Sequence, residues 1–242
     1  MRAAVNIAET LHEAQTTATE IPNFGDLTVE DAYEVQHALI TLRERAGETV
    51  TGVKLGFTSE AKMKQMGVSE VIVGRLTSGM AGRTSENLIH PKVEPEIAYR
   101  LGRDVDGSAP IEECVDAVAA AIEVIDSRYR DFRFTYTDVI ADNTSAAGYV
   151  IGDWQPVTDV GGRAVRLTSG TAHVEGSTSA ILGNPANALR ALEEVARRRG
   201  IPLKAGYVVL AGAATVALPL SGDYVECSID GLAPVSFGGR TR

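Results

Sequence analysis

HPKVEPEIAYRL, residues 90–101, alternates along its length: Val93, Pro95, Ile97 and Tyr99 fall on one side of an extended chain, and Glu94, Glu96, Ala98 and Arg100 on the other. A period of two predicts a strand with a polar face. Glu94 and Glu96, at i and i+2, point the same way with Cα atoms about 6–7 Å apart. From that spacing both reach one cation, and hard divalent ions such as Mg2+ take carboxylate oxygens while leaving positions for water or substrate. The competing reading is a solvated strand face.

On the C-terminal side, Ile111, Val115, Val118 and Ile122 recur with helical spacing, which predicts a helix handing over to a strand at 122–126. Within AIEVIDSR, Glu123 and Asp126 are acids in an apolar run. Buried and unpaired, such a charge costs several kcal/mol or shifts its pKa, so a compensating cation is expected. The two acids face opposite sides of a strand, and the residues alone leave open which one joins Glu94 and Glu96; Asp126 has Arg128 and Arg130 as alternative partners. Farther on, Asn184, Pro185 and Gly200 bracket a helix as N-cap, first residue and C-terminal stop, with Leu189, Leu192 and Val195 as its buried stripe. Segments 163–182, 206–218 and 223–237 read as Gly-rich strands.

Toward the N-terminus, residues 1–47 read as helical, with Thr28 capping a helix that carries Ala32, Val35, Leu39 and Leu42 and stops at Gly47. TGVKLGFTS (51–59) reads as a strand running into a turn, after which Ser59 caps a short helix ending at Gly67. Lys54 is a lone cation between apolar residues. It either snorkels at a strand end or, near a metal site, binds a carboxylate or transfers a proton. The sum is an α+β fold dominated by β, in which an N-terminal helical layer (1–48) and a β-rich catalytic region (49–242) form one unit.

Composition narrows the function classes. A net charge of −9 over 242 residues argues against nucleic acid as a partner, and Arg197–Arg199 suit a helix C-terminus. No apolar run is long enough to span a membrane, and MRAAVNIAETLHEAQ lacks a secretory pattern, so a cytoplasmic location is expected. Cys114 and Cys227 form no CxxC pair and read as buried apolar residues. His12, His37, His90 and His173 show no HExxH spacing, and neither a GxSxG elbow nor a GxGxxG or GxxxxGK[ST] loop occurs. Ser59 and Lys62 match S-x-x-K, but without SDN or KTG the match carries nothing.

VKLGFTSEAKMKQMGVSEVIVGRLTSGM (53–80), HPKVEPEIAYRL, AIEVIDSRYRDFRF (121–134), DVIADNTSAAGYVIG (138–152) and SAILGNPANAL (179–189) occur in this order. Together, over roughly Ala32 to Phe237, the chain resembles the hydratase/decarboxylase branch of the fumarylacetoacetate hydrolase superfamily. The resemblance implies a mixed β-roll or sandwich of fumarylacetoacetase type and a Mg2+ or Mn2+ ion held by Glu94, Glu96 and Glu123. It further implies that Lys54 lies close to a bound 2-oxo acid, with Arg75, Asp142 and Asn143 near the pocket. GVKLGFTSxAKMxQMGVS, GRLTS (74–78), IDSRYRDF (125–132) and AGAAT (211–215) are more similar to the decarboxylases of that branch than to its hydratases. The implied reaction is loss of CO2 from 2-oxo-3-hexenedioate in meta-cleavage degradation of aromatics. Alternatives are hydration of 2-hydroxypenta-2,4-dienoate and a non-catalytic partner of such a hydratase; acylpyruvate hydrolysis would need a water-activating His/Glu pair that the motifs lack. Family members also imply a homo-oligomer or a complex with a hydratase. DGLAPV (230–235) and the tail after Phe237 depart from the family pattern, so pocket-closing contacts from the C-terminus are not carried over.

Overall fold

The computed structural model describes residues 2–59, 63–64, 67–84, 87–222 and 224–238. In chain order its elements are α1 (Arg2–Thr16), α2 (Val29–Arg45), β1 (Val50–Gly56), β2 (Ile72–Thr77), β3 (Lys92–Leu101), β4 (Val115–Ile125), α3 (Tyr136–Ala141), β5 (Ala146–Ile151), β6 (Ala164–Ser169), β7 (Ala172–Ser177), α4 (Pro185–Arg199), β8 (Val208–Ala213), β9 (Leu218–Pro219), β10 (Tyr224–Ile229) and β11 (Val235–Gly238). The larger sheet runs β2-β1-β8-β3-β4-β5, with β9 on the end of β3, and the smaller runs β11-β10-β6-β7. Only β1 and β8 pair in parallel among these strands. The larger sheet curls until β5 meets β2 again, which gives the α+β roll.

β3 and β4 are interior strands of this sheet, and both faces of each are covered. On one face Val93, Ile97 and Tyr99 pack in a core with Val165, Leu167, Val225 and Cys227 of the smaller sheet and Leu189 and Leu192 of α4. The opposite face lies inside the curl, where Ala98, Ala121 and Leu210 leave room beside the acids. This double burial corrects the helix expected from Ile111 to Ile122. Only Ile111–Cys114 make a short helical turn, and the strand begins at Val115. Every residue from Ala117 to Val124 is buried, so no polar alternation marks the strand and its apolar spacing imitates a helix.

A second correction concerns residues 17–28, which lie in the stretch read as helical but form no helix and separate α1 from α2. Ile21 bridges to Tyr129, and the Phe24 and Gly25 amides donate to Asp138 Oδ1; Pro22 and Gly25 suit such an extended connection. α2 has the expected start, a reciprocal cap between Thr28 and Asp31, and Gln36 ties it down by donating to the carbonyls of Val73 and Ile140. α4 has the Asn184 cap and left-handed Gly200 expected of it, with Arg198 and Arg199 paired to Glu70 and Glu30. Cys114 and Cys227 are free and buried. The short helix expected after Ser59 falls on Glu60–Lys62, Gln65 and Met66, which lie outside the described residues. No helix among the described residues is long and apolar enough to cross a membrane.

Candidate metal centre

Strand register assembles the acids. In the β3–β4 ladder Glu94 sits directly opposite Glu123, and Glu96 follows two positions along the same face. Each of the three offers a carboxylate oxygen within 4.8 Å of the others. Their exposures of 5%, 0% and 0% exclude a solvated face. From β1, Lys54 brings Nζ to 3.1 Å from Glu123 Oε2 and donates to the Thr144 carbonyl at 3.1 Å. Glu96 Oε2 accepts the Gly212 amide at 2.7 Å. Gly212 holds φ at +117°, and a Cβ there would overlap Thr58 Oγ1, so only glycine delivers that N–H.

Three carboxylates crowd together in a buried place, with the Lys54 ammonium paired to Glu123. Among the described residues Glu96 Oε1 and both Glu123 oxygens have no hydrogen-bond partner. Burial, reinforced by Glu123, pushes the Glu96 carboxyl well above its usual range, and burial pushes Glu123 up to about 7. Burial works against the Lys54 charge too, but Glu123, Glu94 and Glu96 outweigh it and hold its pKa above the ordinary lysine value. Orphaned oxygens on Glu96 and Glu123 and an all-carboxylate donor set fit a divalent hard cation.

The sign of the pH dependence follows. Carboxyls raised by folding bind protons more tightly in the native than in the unfolded chain. Their contribution to metal-free stability is therefore complete below the unfolded value of 4.5 and is lost as pH rises through about 7 for Glu123. A divalent ion replaces those protons. The Mg2+-induced rise in Tm should be small near about pH 5.5 and largest above about pH 7.5; a rise that shrinks with pH, followed by scanning calorimetry, would contradict this.

Lys54 and Glu94 line a cavity of about 460 Å3 whose apolar walls include Phe57, Ile72, Phe132 and Phe134. Its polar rim comes from an unusual turn: Asn143, Thr144 and Ser145 all hold positive φ, at 49°, 54° and 58°. Such conformations cost about 1–3 kcal/mol per non-glycine residue and persist only where the surroundings enforce them. Here the turn puts the Thr144 carbonyl on Lys54 and leaves the hydroxyls of Thr144 and Ser145, both in the cavity lining, buried without a partner.

Arg75, Asp142 and Asn143 enforce that turn from behind the cavity wall, and none of the three lines the cavity. Asn143 accepts the Arg75 amide at 2.7 Å and donates back to the Arg75 carbonyl at 2.9 Å, which spends its side chain on β2. Gly74, not Arg75, pairs with Lys54, so the Arg75 side chain leaves on the far face. Asp142 is in a buried ion pair with Arg128, which also donates to the carbonyls of Asp126, Ala146 and Asp142. Burial raises Asp142 to about 6 against the pull of Arg128. Arg128→Met should therefore lower unfolding free energy by about 3–5 kcal/mol, the cost of stranding a buried charge, read as a fall in urea midpoint. An unchanged midpoint would contradict the pairing.

Asp126, the other acid in its run, accepts the Ile89 and His90 amides at 2.9 and 2.8 Å. It pairs with neither arginine, since Arg130 reaches Glu20. Sequence reasoning passed over Thr144, Ser145 and Gly212. Only Gly212, inside AGAAT, left a signal, because glycine marks positive φ whereas threonine and serine do not.

No family model matches the chain. It is 45% identical over 245 residues to a 4-oxalocrotonate decarboxylase from Pseudomonas sp, covering 96% of each protein. It is 39% identical to a 2-keto-4-pentenoate hydratase from Burkholderia vietnamiensis (strain G4 / LMG 22486), covering 95% of each. Among solved structures, 4-oxalocrotonate decarboxylase from Pseudomonas putida G7, complexed with magnesium and adipate, superposes with a TM-score of 0.90 at 30% identity, covering 97% of this chain and 96% of that one. A Yersinia pestis CO92 protein of the fumarylacetoacetate hydrolase family shares the fold alone, with a TM-score of 0.58 at 14% identity over 77% of this chain and 91% of that one.

Proposed function

The chain belongs to the hydratase/decarboxylase branch of the fumarylacetoacetate hydrolase superfamily, and from that premise we propose that it is a carboxy-lyase converting 2-oxo-3-hexenedioate to 2-hydroxypenta-2,4-dienoate and CO2. The observation that carries this reading is the buried Glu94–Glu96–Glu123 cluster, with orphaned oxygens on Glu96 and Glu123, beside a cavity walled by apolar side chains. When bound, Mg2+ or Mn2+ supplies a Lewis acid for a substrate whose C1 carboxylate and C2 oxygen lie side by side.

Glu94, Glu96 and Glu123 act as its ligands and carry no proton. Lys54 has three N–H donors. The Thr144 carbonyl takes one of them and the ion pair with Glu123 draws a second, which leaves one for the substrate's C2 oxygen. Because the acids keep Lys54 charged, it serves as a donor and not as a base. When the C5–C6 bond breaks, its electron pair becomes the C4–C5 double bond, the C3–C4 pair moves to C2–C3, and the C2 carbonyl pair settles on oxygen. Lys54 donates a hydrogen bond, and finally a proton, to that oxygen. Thr144 and Ser145 offer hydroxyls to the substrate carboxylate, while Phe57, Ile72, Phe132 and Phe134 keep water away from the carboxylate that leaves as neutral CO2.

The hydratase similarity favours one second reading, addition of water to 2-hydroxypenta-2,4-dienoate at the same site. Protein stripped with EDTA and restored with Mg2+ should release CO2 from the six-carbon diacid faster than it hydrates the five-carbon dienol; the reverse ranking selects the hydratase. Hydrolysis of an acylpyruvate is disfavoured, since no histidine lines the cavity among the described residues. A non-catalytic partner of a hydratase would bind no stoichiometric Mg2+. The reading includes a place in meta-cleavage degradation of aromatics, a cytoplasmic location, and association as a homo-oligomer or with a companion hydratase; light scattering of the protein with and without that hydratase tests the assembly.

A further inference from the structure

Lys92 lies one step outward from the acids. On β3 it shares the face of Glu94 and Glu96, and across the ladder it pairs with Ile125, which lines the cavity. Its ammonium rests 3.9 Å from the centroid of Phe132, another wall residue, and makes no ion pair among the described residues. The platform beneath it is built and not incidental. Asp131 and Phe132 both hold φ at 57°, a costly conformation for non-glycine residues, and the His90 ring packs on Phe132 at 4.9 Å between centroids. A half-buried lysine with an aromatic face on one side and no carboxylate partner keeps its attraction for an incoming anion.

We infer that Lys92 reads the distal carboxylate of the substrate and so sets the preference for dicarboxylic over monocarboxylic 2-oxo acids. The spacing agrees: Lys92 and Glu94 have Cα atoms about 6–7 Å apart, and the terminal carbons of an extended six-carbon diacid are separated by roughly 6 Å. With the 2-oxo end at the glutamates, the far carboxylate points along this face toward Ile125 and Phe132, the lining residues that Lys92, itself outside the lining, adjoins. Lys92 is a specificity residue that does not help the chemical step, because its hold on the carboxylate that departs as CO2 is lost in the transition state. This inference rests on the 2-oxo acid reading of the site.

The test uses two inert probes with the same head, 2-oxoadipate and 2-oxohexanoate, titrated calorimetrically into Mg2+-loaded protein. Wild type should prefer the diacid. Lys92→Met should weaken 2-oxoadipate about tenfold and leave 2-oxohexanoate and Mg2+ binding unchanged; Lys92→Arg should keep the preference and Lys92→Glu reverse it. With the six-carbon substrate, Lys92→Met should raise KM without lowering kcat. If wild type binds both probes and Lys92→Met weakens both equally or neither, the assignment of Lys92 is overturned while the 2-oxo acid site stands. If wild type binds neither probe in Mg2+, the reading of the site falls and the role of Lys92 with it.

Discussion

Glu96→Gln should lower Mg2+ affinity at least about a hundredfold and turnover about 10^4-fold, while the metal-free protein becomes more resistant to heat at pH 8. Both effects follow from the charge balance. The glutamine keeps the volume of Glu96 and can still accept the Gly212 amide, so the backbone near AGAAT is undisturbed. What changes is one ligand oxygen and one of three crowded negative charges. Without metal the loss of charge relieves repulsion from Glu123, the same repulsion that helps raise the Glu96 carboxyl; with metal it removes part of what holds the ion. Loss of affinity together with a gain in metal-free Tm is a signature that simple misfolding cannot produce. Full affinity and full turnover in Glu96→Gln would contradict the ligand assignment.

Lys54→Met should separate binding from chemistry in the opposite sense. Turnover falls about a thousandfold, because the ammonium that donates to the C2 oxygen is gone. Mg2+ affinity holds or tightens, since a cation 3.1 Å from Glu123 competes with the metal for the same negative field. The metal-free variant should be destabilised by about 3 kcal/mol at pH 8, with the buried Glu123 stripped of its ion-pair partner, and should recover on adding Mg2+ or on lowering the pH, where Glu123 takes up a proton. Paired measurements of kcat and of Mg2+ affinity test it; a variant that loses both to the same degree would make Lys54 a structural residue.

What could be read from the sequence was what local chemistry dictates. The Thr28 and Asn184 caps, the Gly200 stop and the alternation of 90–101 each announce an element through residues that satisfy their own backbone or face. Glu94 and Glu96 were legible as a pair because a strand puts i and i+2 on one side. Choosing Glu123 over Asp126 needed the family resemblance, and the ladder gives the physical reason: Glu123 faces Glu94, whereas Asp126 lies just past the strand and holds the amides of Ile89 and His90.

The illegible parts share a cause, which is that tertiary surroundings override local signals. β4 is alanine-rich and buried on both faces, so its period vanishes. The turn at Asn143–Ser145 adopts positive φ without glycine because Arg128 and the Asn143 clamp enforce it. Asp142 and Asn143 sit beside the motifs of the site but spend their polar side chains in holding it, and Arg75 contributes its backbone amide and carbonyl, its side chain turned to the other face. Residues that position a site and residues that touch a ligand cluster together in sequence, and only geometry separates them.

Central to the proposed function is one divalent-cation site, built by Glu94, Glu96, Glu123 and Lys54, that opens onto a 2-oxo acid pocket. The most direct test is calorimetric titration of EDTA-treated protein, first with Mg2+ and then with 2-oxoadipate. The expected result is one equivalent of Mg2+, reversed by EDTA, followed by diacid binding that requires the ion. Diacid binding of equal strength without metal, or no stoichiometric uptake of Mg2+, would contradict it.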